Sequence, residues 1–296
     1  MAQAGHEKTK PQQDPSNARL WVAVLLFVFV IQSIVVPKSI LVRFINHLLY
    51  GLFFQFLPNL TEPWVVLEQG VTYLLLGWLF LRSIHRPVGT LGANADAWKT
   101  GVPWGLAMFL ASAVLLIGVG GAIAGFHQIP SVFWSLPAQA AQMFKGLGEA
   151  LCIQGFFQSS VVLLTLRYLK KNNIVSIFGV GAATILTMIM QAPELARSGL
   201  QGITLAAALV HVSLIFGFVV SMTYAITNNL VLAAMLYGGY YAMSYWTVSG
   251  VYTLFPLHIY LATASAVLYV ALKSNPKALH ETPIAAQVDL ATSRKE

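Results

Sequence analysis

Long apolar runs, each near twenty residues and broken by prolines, glycines and basic residues, dominate this chain. A continuously apolar run of that length can cross a bilayer as a helix. Within lipid every backbone N–H and C=O must find a partner inside the protein, which leaves only helices or a closed barrel. The length of the runs selects helices.

Composition agrees. Hydrophobic residues make up 57% of the 296 and charged residues 9%, against roughly 25% charged in an ordinary soluble domain. Together with a mean hydropathy of +0.71, this excludes a water-soluble enzyme. The formal charge of +7 is not a nucleic-acid footprint, because the basic residues stand singly or in pairs between apolar runs, without an interleaved aromatic stripe. A single cysteine, Cys152, rules out an internal disulfide framework.

Residues 1–18 are polar, contain Pro11 and Pro15 and lack an apolar h-region, so they read as a disordered cytosolic tail and not as a cleaved signal. Eight spans are expected: Leu20 to Val36, Pro63 to Leu81, Val102 to Phe126, Gly146 to Leu169, Ile174 to Gln191, Gly202 to Ile226, Leu230 to Tyr245 and Leu254 to Leu272. Ser39 to Leu57, punctuated by Arg43, His47 and Gln55, suits an interfacial helix, and His127 to Lys145 a re-entrant or interfacial connector. Gly118, Gly120 and Gly121 would let the third span approach its neighbours closely. Ala192-Pro193-Glu194 is expected to close the fifth span.

The predicted fold is therefore all-α: a polytopic membrane protein of about eight transmembrane helices with one or two interfacial helices. One membrane domain occupies 19–273, between the N-terminal tail and a polar cytosolic tail at 274–296. Placing both termini in the cytoplasm puts thirteen of the seventeen Lys and Arg residues there, leaving Lys38, Arg43, Lys145 and Arg197 outside. That bias, with the short N-tail, fits an integral protein of a prokaryotic cytoplasmic membrane.

Ionisable groups at membrane depth cost at least about 2.5 kcal/mol, which makes each a functional candidate. Glu68, Glu149 and His211 stand out. Glu149 opens the fourth span and could serve as a general acid or base, or staple two helices. Gln154 and Gln158, one helical turn apart, could form a polar seam. His211 lies mid-span without a His-x-x-x-His or Glu-x-x-His companion, so no metal and no cofactor are expected. Glu68 sits near a span end, where it can reach headgroup water.

Glu149-Ala150-Leu151-Cys152-Ile153-Gln154-Gly155-Phe156-Phe157 resembles the first motif of the CPBP intramembrane proteases, the family of the CAAX prenyl endopeptidases: Glu-Glu-x-x-x-Arg-Gly followed by aromatics. In that register Ala150 replaces the second glutamate and Gln154 the arginine. The second motif, Phe-x-x-x-His with a nearby proline, corresponds to Thr187-Met188-Ile189-Met190-Gln191-Ala192-Pro193, with Gln191 at the histidine position. The third, His-x-x-x-Asn or Asp, corresponds to Tyr237 and Tyr241, whose spacing puts both hydroxyls on one helical face. The resemblance covers about 138–245.

It implies an intramembrane site in which Glu149 activates water, with Gln191 orienting and Tyr237 and Tyr241 stabilising an oxyanion. Because each of the three motifs carries substitutions, the preferred expectation is a catalytically silent relative, a pseudoenzyme. Its cavity, lined by Gln154, Gln158, His211 and Glu68, would bind a lipid or a partner's transmembrane helix. The alternatives are an active CPBP-type endopeptidase using Glu149, and a small-solute transporter or a subunit of a larger membrane complex.

Overall fold

Asn94 and Asn229 each precede an apolar run, and each caps a helix as a short polar side chain at that position should. The Ala97 amide donates to Asn94 Oδ1 at 2.9 Å, and the Leu232 amide to Asn229 Oδ1 at 2.9 Å. The computed structural model describes residues 17–35, 61–124, 136–169, 172–197, 201–210, 213–214, 217–244 and 255–274. Among them there is no strand; the fold is all-α.

In chain order the helices are α1 (Asn17–Val30), α2 (Thr61–Ser83), α3 (Ala95–Ala124), α4 (Leu136–Ala150), α5 (Ser159–Leu169), α6 (Asn172–Arg197), α7 (Gly202–Leu209), α8 (Gly217–Thr227), α9 (Leu230–Ser244) and α10 (Phe255–Ser274). A π-helical turn, Ile31–Val35, extends α1, and a second, Leu151–Gln158, joins α4 to α5. Two helices, over Ala95–Gly118 and Gln139–Leu166, are long and apolar enough to cross a membrane.

The α4–π–α5 rod is the axis of the fold. It packs against α2, α9, α6 and α1, while α3 and α10 pack outside α9. Although almost wholly buried, the rod carries Gln139, Gln142, Lys145, Glu149, Gln154, Gln158, Ser159 and Ser160 among its buried residues. Large apolar side chains such as Val22, Leu25, Phe29, Leu75, Leu110, Val114, Ile177 and Ile185 point outward. The core is chiefly apolar, yet it holds these polar groups while large apolar side chains are exposed on the surface.

Glycines bring the backbones together around the rod. A methyl group at Gly148 would stand 2.6 Å from the Gly70 carbonyl oxygen on α2, and one at Gly146 would strike the Gly238 backbone on α9. Behind the π turn, Phe27 packs on Phe156 at 4.9 Å and on Phe80 at 5.1 Å between ring centroids.

The structure departs from the sequence reading in four places. Residues 136–145, expected as part of a connector, belong to α4, because the α2 and α9 contacts repay a helix there. Pro193 does not close α6, which runs on to Arg197; a proline removes one backbone hydrogen bond, and the helix continues past it. Within the expected sixth span the described residues form two α-helices, α7 and α8, and residues 210, 213 and 214 between them have π geometry. Close approach of α3 is made at Gly101 and Gly105, against Leu232 and Met235, whereas Gly118 faces open space and the surroundings of Gly120 and Gly121 are not described. The tails, Ser39 to Leu57 and residues 127–135 of the expected connector lie outside the described residues, apart from Asn17 and Ala18, which belong to α1, and Ser274, which ends α10.

Candidate functional site

Four helices bring polar side chains to the α4–π junction, arranged in two tiers one helical turn apart. Residues four apart share a helix face, so Thr187 and Gln191 on α6 and Tyr237 and Tyr241 on α9 supply one residue each to both tiers.

The first tier centres on Glu149, 2% exposed. Tyr241 Oη donates to Glu149 Oε2 at 2.6 Å, and Gln191 Nε2 in turn donates to Tyr241 Oη. The other carboxylate oxygen, Oε1, lies 3.7 Å from Lys145 Nζ, one turn earlier on the same rod. That ammonium also stands 4.1 Å from the centroid of the Tyr241 ring. A buried carboxylate persists only when paired and hydrogen-bonded; here one oxygen is paired with a cation and the other accepts from a phenol.

The second tier has the same form. Gln154 Nε2 donates to Ser221 Oγ at 3.2 Å and to Tyr237 Oη at 3.4 Å. The Thr187 hydroxyl donates to the Ala183 carbonyl at 2.8 Å, so at its 3.2 Å contact with Tyr237 it accepts, and Tyr237 is the donor. Gln158 Nε2 donates to the Ser221 carbonyl at 2.9 Å. Each tier thus runs amide to phenol to acceptor.

This wiring determines what the groups can do. An oxyanion hole needs donors aimed at an incoming oxygen, but the phenol hydrogens of Tyr237 and Tyr241 are given to Thr187 and Glu149. A general base needs a lone pair within reach of the substrate's proton, but both oxygens of Glu149 face protein partners. As it stands the phenols and the carboxylate are engaged with protein partners, while the side-chain amide oxygens of Gln154 and Gln158 are buried without a hydrogen-bond partner.

The structure therefore gathers Glu149, Gln191 and Tyr241 in one tier and Gln154, Gln158 and Tyr237 in the other. Glu68 is half-buried on α2 and accepts from Thr72 Oγ1 at 3.1 Å. His211 lies outside the described residues. Among the described residues no group of histidine, cysteine and carboxylate side chains could hold a metal ion.

Three members of the site escape the sequence reading. The charge bias places Lys145 on the outer surface as a topological charge; instead it is 4% exposed and is the counter-ion of Glu149. Thr187 and Ser221 carry no signal as ordinary hydroxyls. The i, i+4 spacing of Lys145 and Glu149 is the one clue available, and it becomes legible only once α4 is known to begin before Lys145.

No family model, curated protein or solved structure matches the chain.

Proposed function

We propose that the chain is a polytopic membrane protein of about eight spans with both termini cytoplasmic, akin to the CPBP intramembrane proteases and catalytically silent. It uses its polar core to hold helices in register while binding a lipid or a partner's transmembrane helix. The outward apolar belt and the two long apolar helices support the membrane setting. A soluble protein rarely exposes so many large apolar side chains.

One observation carries the silent reading: Glu149 is closed off by Lys145 and Tyr241, and the phenols that would stabilise an oxyanion have spent their hydrogens. Loss of one oxyanion donor lowers a rate by about 10² to 10³, and loss of a general base by roughly another 10² to 10⁴. The active-protease reading draws on the same gathering of Glu149, Gln191 and Tyr241, but it requires Lys145 and Tyr241 to swing away.

The test is incubation of the purified chain, in detergent and in proteoliposomes, with a library of membrane-spanning peptides. The proposal expects no cleavage that depends on Glu149. Cleavage abolished by Glu149→Gln would refute it. A partner that co-purifies stoichiometrically with both wild type and Glu149→Gln would support it.

A further inference from the structure

The segment between α2 and α3 is short and basic, and it is hydrogen-bonded to the turn between α8 and α9. Arg82, in the last turn of α2, lies with its guanidinium carbon 5.2 Å from the centroid of the Trp78 ring, and both side chains are exposed. His85 and Arg86 follow, and exposed Lys99 stands one turn into α3 next to exposed Trp98. The one carboxylate in this stretch, Asp96, is 3.5 Å from Lys99 Nζ. Exposed tryptophans beside guanidinium and ammonium groups at helix ends suit the depth where acyl chains meet headgroups.

This segment is clasped to the turn between α8 and α9. The Leu230 amide donates to the Gly92 carbonyl at 3.0 Å, and Tyr224 Oη on α8 donates to the Leu91 carbonyl at 3.3 Å. Asn229 Nδ2 donates to the Ala97 carbonyl at 3.1 Å and to Thr100 Oγ1 at 3.0 Å. Gly92, at φ +74°, fits against Asn228 so closely that no side chain could replace its hydrogen. The two helices joined by that turn, α8 and α9, carry Ser221, Tyr237 and Tyr241.

We propose that Arg82 and Lys99, flanked by Trp78 and Trp98, bind the anionic headgroups of bilayer phospholipids. Through the clasp, that binding steadies the α8–α9 pair and hence both tiers of the polar core. The inference rests on the membrane reading above. The recognised chemistry is a phosphodiester at the bilayer surface: the guanidinium can take two of its oxygens, and the flanking indole can lie along the first acyl carbons.

The experiment uses the full chain in nanodiscs of phosphatidylcholine, with and without a phosphatidylglycerol fraction. It reads the unfolding midpoint and the hydrogen exchange of residues 217–244. Phosphatidylglycerol is expected to raise the midpoint by roughly 2–4 °C and to slow that exchange. Both effects are expected to fall away in Arg82→Gln/Lys99→Gln and in high salt. A chain that will not enter nanodiscs defeats the membrane reading. A chain that enters but responds equally to both lipids, or a double variant that keeps the full response, overturns only the headgroup site. A raised midpoint without slower exchange in 217–244 overturns the coupling through the clasp.

Discussion

Replacing Lys145 by methionine keeps most of the side-chain volume and removes the cation that faces Glu149 Oε1, while the Tyr241 hydrogen bond to Oε2 stays in place. At the observed 3.7 Å and an effective dielectric of about 20, the lost attraction is about 4.5 kcal/mol. Loss of the cation over the Tyr241 ring adds up to about 2 kcal/mol. Relaxation of the site recovers part of this, so the expected destabilisation is about 3–5 kcal/mol, the range found when one partner of a buried pair is removed. Glu149→Gln alone strands the ammonium and is expected to fall in the same range. The double variant Lys145→Met/Glu149→Gln removes both charges, and the new side-chain amide oxygen can still accept from Tyr241, so this variant is expected to lie within about 1–2 kcal/mol of wild type. Equilibrium unfolding in mixed micelles, run as a double-mutant cycle, measures the coupling. If Lys145→Met costs less than about 1 kcal/mol, or if the two changes simply add, the two groups do not form the pair described here.

Three other outcomes follow from the geometry. Tyr241→Phe removes the phenol that links Gln191 to Glu149 and is expected to cost about 1.5–3 kcal/mol, against about 1 kcal/mol for Tyr237→Phe, whose acceptor is neutral; chemical unfolding of the two variants side by side tests the order. Gly146→Ala forces a methyl group into the Gly238 backbone and is expected to lose about 1–3 kcal/mol or more, whereas Gly118→Ala faces open space and is expected to stay within about 0.5 kcal/mol; thermal unfolding in detergent compares them. Gly92→Ala is expected to abolish the native fold, read as aggregation on size-exclusion chromatography, because its Cβ would overlap the Asn228 carbonyl at a backbone angle that side chains also resist.

The resemblance places Glu149, Gln191 and Tyr241 in one site from spacing and order, and their side chains do touch. Their roles are not legible in the same way. A hydroxyl four residues from another can be read as sharing a face, but whether it points its hydrogen at a substrate or at Thr187 depends on a helix far away in sequence. The glycine contacts show the same limit. Gly118, Gly120 and Gly121 form the denser cluster by eye, yet Gly101 and Gly105 are the glycines of α3 seen to meet α9, and Gly118 faces open space.

By itself the sequence pointed to a helical protein, since in lipid apolar runs of such length would satisfy their backbone groups by coiling on themselves. It also determined the segments' approximate limits and which residues carry charge into an apolar setting. Only the tertiary structure decided that α4 starts at Leu136, well before Lys145, which carries this lysine from the outer surface into the core as the partner of Glu149. The physical reason is that hydrophobic periodicity reports how often a helix turns. The neighbour awaiting each turn, and so the fate of every buried charge and every phenol hydrogen, is set by contacts between segments tens of residues apart.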